Sequence, residues 1–127
     1  MLPFTVQFKS GQPVYEQVIF AVHKALVAGH LKVGDQFPSV RVLSKELKIN
    51  PNTAHKVVAN LKQDGLLVVE PGRGTFIGEK IAPSEEDREA LLGTSVEALV
   101  VEARKLNLTL EEVMAAVRGK WEAFENN

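Results

Sequence analysis

Two short amphipathic segments, each opened by a capping residue and set about three residues apart, constrain this chain more than any other feature. The first starts at Ser39, an N-cap candidate behind Pro38, and carries Val40, Leu43 and Leu47 on one face. The second starts at Asn50-Pro51, a cap followed by a proline. The fixed φ and missing N–H of proline suit the first helical position. This second segment turns Ala54, Val57, Val58 and Leu61 inward, and Gly65 stops it after Asp64. Two helices joined so closely make a helix-turn-helix.

The flanking segments complete an expected winged domain over residues 1–80. Phe4-Thr-Val-Gln-Phe8 alternates apolar and polar residues as a short half-buried strand would, and Ser10-Gly11-Gln12 breaks it. From Pro13 to Ala28 the residues Val14, Val18, Ala21, Val22, Ala25 and Leu26 recur at helical spacing, with Gly29 as the cap. Leu31 to Phe37 reads as a turn-rich connection. Leu66-Leu-Val-Val-Glu70 and Thr75-Phe-Ile77 read as two strands joined through Pro71-Gly-Arg-Gly74, a tight reversal.

Ala82-Pro83 marks the boundary to a second region, residues 81–127. Ser84-Glu-Glu-Asp87 is close to a capping box, and Thr109-Leu-Glu-Glu112 is a complete one. Between them Leu92, Val96, Leu99, Ala103 and Leu106 step alternately by four and three, the spacing of a helix seam. After a break at Asn107-Leu108, the residues Leu110, Val113, Met114, Val117, Trp121 and Phe124 line one face of a last helix. The expected fold class is therefore mainly α with a small β-wing: an N-terminal winged helix-turn-helix domain, then a two-helix C-terminal dimerisation tail. About 45 residues cannot bury both apolar faces alone. A two-fold homodimer that covers them is the expectation, in preference to a tail folded onto its own first helix.

Charge divides the same way. The formal net charge is −1, yet residues 1–80 hold 10 Lys/Arg against 6 Asp/Glu, and residues 81–127 hold 5 against 10. A basic first part suits a polyanionic partner such as double-stranded DNA, and an acidic tail would stay off its backbone. Chemistry is poorly provided for. With no cysteine there is no thiol nucleophile, disulfide framework or thiolate zinc site. His23, His30 and His55 lie far apart, so no metal is expected. No Ser-His-Asp set or paired carboxylates stand out, and Gly72-Arg-Gly74 lacks the following helix of a phosphate loop. Neither an enzyme nor a cofactor is expected. No apolar run approaches the ~20 residues of a membrane span, and the opening Met1-Leu2-Pro3-Phe4 lacks signal-peptide features. A cytoplasmic location is expected.

In a helix-turn-helix the second helix enters the major groove, and its first residues meet base edges. Here those are Asn50, Asn52, Thr53, His55 and Lys56. Asparagine can pair bidentately with adenine, lysine can reach guanine, and threonine and histidine suit phosphates or base edges. The alternative use of such a domain is protein interaction, which would want exposed apolar anchors instead.

Four motifs in order and at fitting spacing sharpen this. Pro13-Val-Tyr-Glu-Gln17, Gly34-Asp-Gln-Phe-Pro-Ser-Val-Arg41, Asn50-Pro-Asn-Thr53 and Gly72-Arg-Gly-Thr-Phe76 resemble the successive motifs of GntR-family transcription regulators. Asn-Pro-Asn-Thr with a short helical tail resembles the YtrA-like subfamily in particular. The resemblance implies that the family's DNA-binding arginine falls on Arg41, behind the cap Ser39. Base reading falls on Asn50 to Lys56, and the wing on Arg73 and Gly74. The chain departs from the pattern at His55, where many members carry arginine. Pro51 also stands where a polar or basic residue is common, although proline there is typical of the subfamily. The resemblance further implies a dimeric repressor on a palindromic operator, with neighbouring transporter genes as targets. The tail has little room for an enclosed pocket, so a small-molecule effector would either bind at the dimer interface or not exist.

Overall fold

The computed structural model describes residues 2–79 and 83–125, so the expected boundary at Ala82-Pro83 begins outside the described residues. It divides into two compact units, Met1–Lys80 and Ile81–Asn127. The first is built from α1 (Val14–Ala28), α2 (Val40–Leu47), α3 (Pro51–Gln63), β1 (Leu67–Glu70) and β2 (Gly74–Ile77). The fold is mainly helical with a small two-stranded antiparallel wing, as the sequence implies.

Local chemistry sets the helix ends. Pro13 takes the N-cap position of α1, one residue before the first turn, and Gly29 closes the helix at φ 84°. Ser39 caps α2, its hydroxyl accepting from the Val42 N–H at 3.2 Å. Lys48 then adopts a left-handed φ of 56°, which ends α2 abruptly, and the Ile49 N–H returns to the Ser44 carbonyl at 3.1 Å. The turn between α2 and α3 is short for this reason. Val18, Val22, Leu43, Ala54, Val57 and Leu61 are fully buried where α1, α2 and α3 meet, so each amphipathic stripe faces the others.

The wing pairs Leu67 with Ile77 and Glu70 with Gly74. The Arg73 N–H donates to the Glu70 carbonyl at 2.9 Å, and Gly72 has φ 78°. Proline followed by a glycine at positive φ fits a type II turn.

Two expectations need correction. Phe4–Phe8 forms no strand. Phe4 is instead buried and stacked on Phe37, with ring centroids 6.2 Å apart, while Phe8 is exposed. The segment's alternation serves packing, with Phe4 and Val6 set against the core, while the edge of β2 is already occupied. That edge is taken by the stretch read as a plain connection. The Gly34 and Phe37 N–H groups donate to the Ile77 and Thr75 carbonyls at 2.9 and 2.8 Å, and the Ile77 N–H donates to the Asp35 carbonyl at 2.8 Å. Gln36 forms an isolated bridge with Phe76. Glycine and aspartate in this stretch mask a pairing segment, since both weaken a strand signal.

Gly78 marks the closest approach at the wing base. A Cβ there would meet Val68 Cγ2 at 2.7 Å and the Gly65 carbonyl oxygen at 3.2 Å. Gly78→Ala is therefore expected to destabilise the winged unit by ~1–3 kcal/mol, as overpacking in a tight site does. A thermal melt checks it, and an unchanged midpoint would contradict this reading.

The second unit contains α4 (Glu85–Ala90), α5 (Val96–Lys105) and α6 (Leu110–Glu125). Ser84 caps α4, its hydroxyl accepting from the Asp87 N–H at 3.0 Å. A π-helical turn over Leu91–Ser95 joins α4 to α5, so residues 85–105 make one interrupted helical run. The wider turn carries one extra residue, which shifts Leu92 relative to Val96 and interrupts the seam that the sequence spacing describes. Asn107 reverses the chain at φ 59°. The capping box at the start of α6 forms reciprocally: the Glu112 N–H donates to Thr109 Oγ1 and the Thr109 N–H donates to Glu112 Oε1, both at 3.1 Å.

Candidate nucleic-acid interface

The buried face of α3 fixes which residues remain outside. Ala54, Val57, Val58 and Leu61 lie in the core, so Asn52, His55 and Lys56 are exposed and Thr53 is half-buried. The polar start of α3 thus projects from a rigid helix pair. Asn50 divides its amide. Its Oδ1 accepts from the Asn52 N–H at 2.8 Å and caps the helix, which leaves its Nδ2 donors for any outside partner.

Arg41 stands exposed in the first turn of α2, and among the described residues no carboxylate pairs with it. The capping Ser39 oxygen accepts from the Val42 N–H, which leaves its own O–H, with the backbone N–H groups of this helix start, as donors for a phosphate. Lys56 has an aromatic neighbour. Its Nζ lies 3.8 Å from the ring centroid of Tyr15 on α1.

Arg73 sits at the wing tip with 72% of its side chain exposed, its Nη1 3.0 Å from Glu70 Oε2. That oxygen is shielded from solvent and makes no hydrogen bond, so the guanidinium supplies its charge compensation. The Arg73 guanidinium also lies 5.4 Å from the Phe76 ring centroid. Gly74 has φ 124°, and a Cβ there would meet Gln36 Nε2 at 2.8 Å. The wing tip is thereby held by the connection that precedes α2.

Sequence reasoning did not assign roles to Gln36, Glu70, Tyr15 or Gln17. Three of them lie inside quoted motifs, yet each engages a residue outside its own motif. Gln17 is the clearest: its Nε2 donates to the Lys9 and Gln12 carbonyls at 2.9 and 3.0 Å, and its Oε1 accepts from the Lys9 N–H at 2.9 Å. It fastens the N-terminal segment to the start of α1.

In the second unit, Leu92 and Trp121 are 71% and 68% exposed, and Val96, Leu99, Leu106, Leu110, Met114 and Val117 are exposed too. Val113 and Phe124 are half-buried, and Ala103 is the one buried residue among those described there. Leu91, Val100, Val101 and Leu108 add apolar surface that the seam did not include. Among the described residues no three metal-ligating side chains lie together, and no helix is long and apolar enough to cross a membrane.

A helix-turn-helix whose second helix has an exposed polar start, with exposed arginines on α2 and on a β-wing, defines a class: winged-helix regulators that bind DNA. The family model of bacterial regulatory proteins, gntR family, matches residues 14–77. The chain is 33% identical over 112 residues to the uncharacterised HTH-type transcriptional regulator YhcF of Bacillus subtilis, covering 88% of this chain and 93% of that one. It is 31% identical over 119 residues to the HTH-type transcriptional repressor YtrA of the same organism, covering 87% and 92%. Among solved structures, a transcriptional antiterminator from Listeria monocytogenes EGD-e superposes with a TM-score of 0.81 at 25% identity, covering 95% of this chain and 91% of that one. The chain belongs to the GntR family of bacterial regulators and is similar to its YtrA-type members. It is a DNA-binding transcription regulator and not an enzyme.

Proposed function

We propose that the chain acts as a cytoplasmic homodimeric repressor that reads a palindromic operator through paired winged units. The observation that carries this reading is the exposed polar start of α3, with Asn52 and His55 outward and Arg41 and Arg73 exposed on the neighbouring α2 and wing. In this reading Asn52 and His55 meet base edges, with Thr53 and the Nδ2 of Asn50 beside them. Arg41 and Lys56 grip the backbone, and Arg73 enters the minor groove, where negative potential attracts it. Residues 1–80 are the DNA-binding domain and residues 81–127 the dimerisation tail.

Dimerisation is supported by the tail's exposed apolar surface, since soluble monomers seldom expose large contiguous apolar patches. The repressor role is supported by the likeness to the relative named a transcriptional repressor. Control of neighbouring transporter genes is part of the same proposal. A small-molecule effector has a candidate place among the tail's described residues, an apolar cleft of about 370 Å³ lined by Val100, Ala103, Arg104, Leu108, Leu110 and Val113. An electrophoretic shift on the chain's own upstream region, at low and high salt, tests the reading. A salt-sensitive, sequence-dependent shift supports it. Equal binding to unrelated DNA, or none, would count against it.

A further inference from the structure

We infer that Tyr15 is a positioning residue for DNA binding: its ring holds the Lys56 ammonium beside α3, where it meets a backbone phosphate. The inference rests on the proposed reading that the start of α3 faces DNA. Lys56 Nζ is 3.8 Å from the ring centroid, well inside the ~6 Å range of a cation–π contact. Tyr15 is half-buried and packs against the hydrophobic core, so the platform itself is fixed while Lys56 is exposed. A lysine side chain is otherwise long and rotamerically free. Held on the ring, it approaches DNA already ordered, and its N–H donors on the far side stay open. The tyrosine hydroxyl is directed elsewhere, 3.4 Å from Glu16 Oε1, so the ring face is the part that acts. Lys56 lies one turn beyond Asn52 on α3, at the edge of the helix that meets α1. A charge anchored to α1 sits at the flank of α3 and gives affinity without base preference. This assigns a role to the Tyr15 of the Pro13–Gln17 motif, which core packing alone does not use.

The test is a double-mutant cycle measured by fluorescence anisotropy on the upstream DNA and on an unrelated duplex. Lys56→Ala is expected to weaken binding to both and to lower the salt slope by about one counterion. Tyr15→Leu is expected to weaken both about two- to fivefold, the range of an exposed cation–π contact, and Tyr15→Phe to keep wild-type affinity. In the Lys56→Ala background the Tyr15→Leu effect should vanish. A Tyr15→Leu loss that persists without Lys56, or a Tyr15→Phe loss as large as that of Tyr15→Leu, would overturn the inference and leave the reading of α3 intact. No effect of Lys56→Ala on either DNA would overturn the inference and weaken that reading as well. A readout independent of both DNA binding and Tyr15→Leu folding is the NMR shift of the Lys56 ε-methylene protons. It should lie upfield in the wild type and in Tyr15→Phe, and an ordinary lysine position would overturn the inference.

Discussion

Deleting residues 84–127 is expected to leave a monomeric winged unit that binds a half-site weakly and no longer favours paired sites. In the second unit Ala103 alone is buried among the described residues, so α4, α5 and α6 do not close a core of their own. Their apolar surface is of the kind that soluble monomers seldom expose. If two copies cover it across a two-fold axis, the axis also fixes the distance between recognition helices. Each half-site then raises the effective concentration of the other, and losing that linkage costs ~10²–10⁴ in apparent affinity. Light scattering on the full chain and on the truncation reports the oligomeric state, and anisotropy on one-half and two-half sites reports the avidity. A full-length monomer at micromolar concentration, or a truncation that still dimerises fully, would remove the tail from this role.

The second large effect concerns the arginines. Arg41→Ala and Arg73→Ala are each expected to weaken operator binding, by ~1–3 kcal/mol where the guanidinium makes a bidentate contact. The loss at Arg41 should be the greater. Arg73 must give up its contact with Glu70, 3.0 Å away, before it can serve DNA, and that exchange offsets part of its gain. Arg41 has no such partner among the described residues. The Arg41→Ala variant should also flatten the dependence of affinity on salt, because a phosphate contact releases counterions. Anisotropy titrations between low and moderate salt check both points. Wild-type affinity in the Arg41→Ala protein would exclude the start of α2 from the interface.

Much of the fold was legible because its signals are local. Ser39, Asn50-Pro51 and Thr109 with Glu112 each announce a helix start, and each forms the cap that its residue type suggests. The core stripe of α3 was readable from period alone. What was not legible depends on partners far along the chain. The pairing of residues 34–37 with β2 is written in turn-like residues and exists only because the wing folds back beside them. Phe4–Phe8 shows the converse: a strand pattern with no edge to join. The π-helical turn at Leu91–Ser95 left no mark on the four-three spacing of the seam. At the candidate site the residue types were visible and their engagements were not. Nothing in the sequence shows that Lys56 rests on Tyr15 or that Arg73 faces Glu70.

The central claim is that the exposed start of α3 reads base sequence, and selection of preferred duplexes from a random pool tests it most directly. The wild type, Asn52→Ala and His55→Ala proteins would be compared at one salt concentration. Each well-placed base contact carries ~1–3 kcal/mol of discrimination, so each variant should relax preference at one symmetric pair of operator positions and keep the rest. Identical selected sites for all three proteins would show that another face of the winged unit reads the DNA.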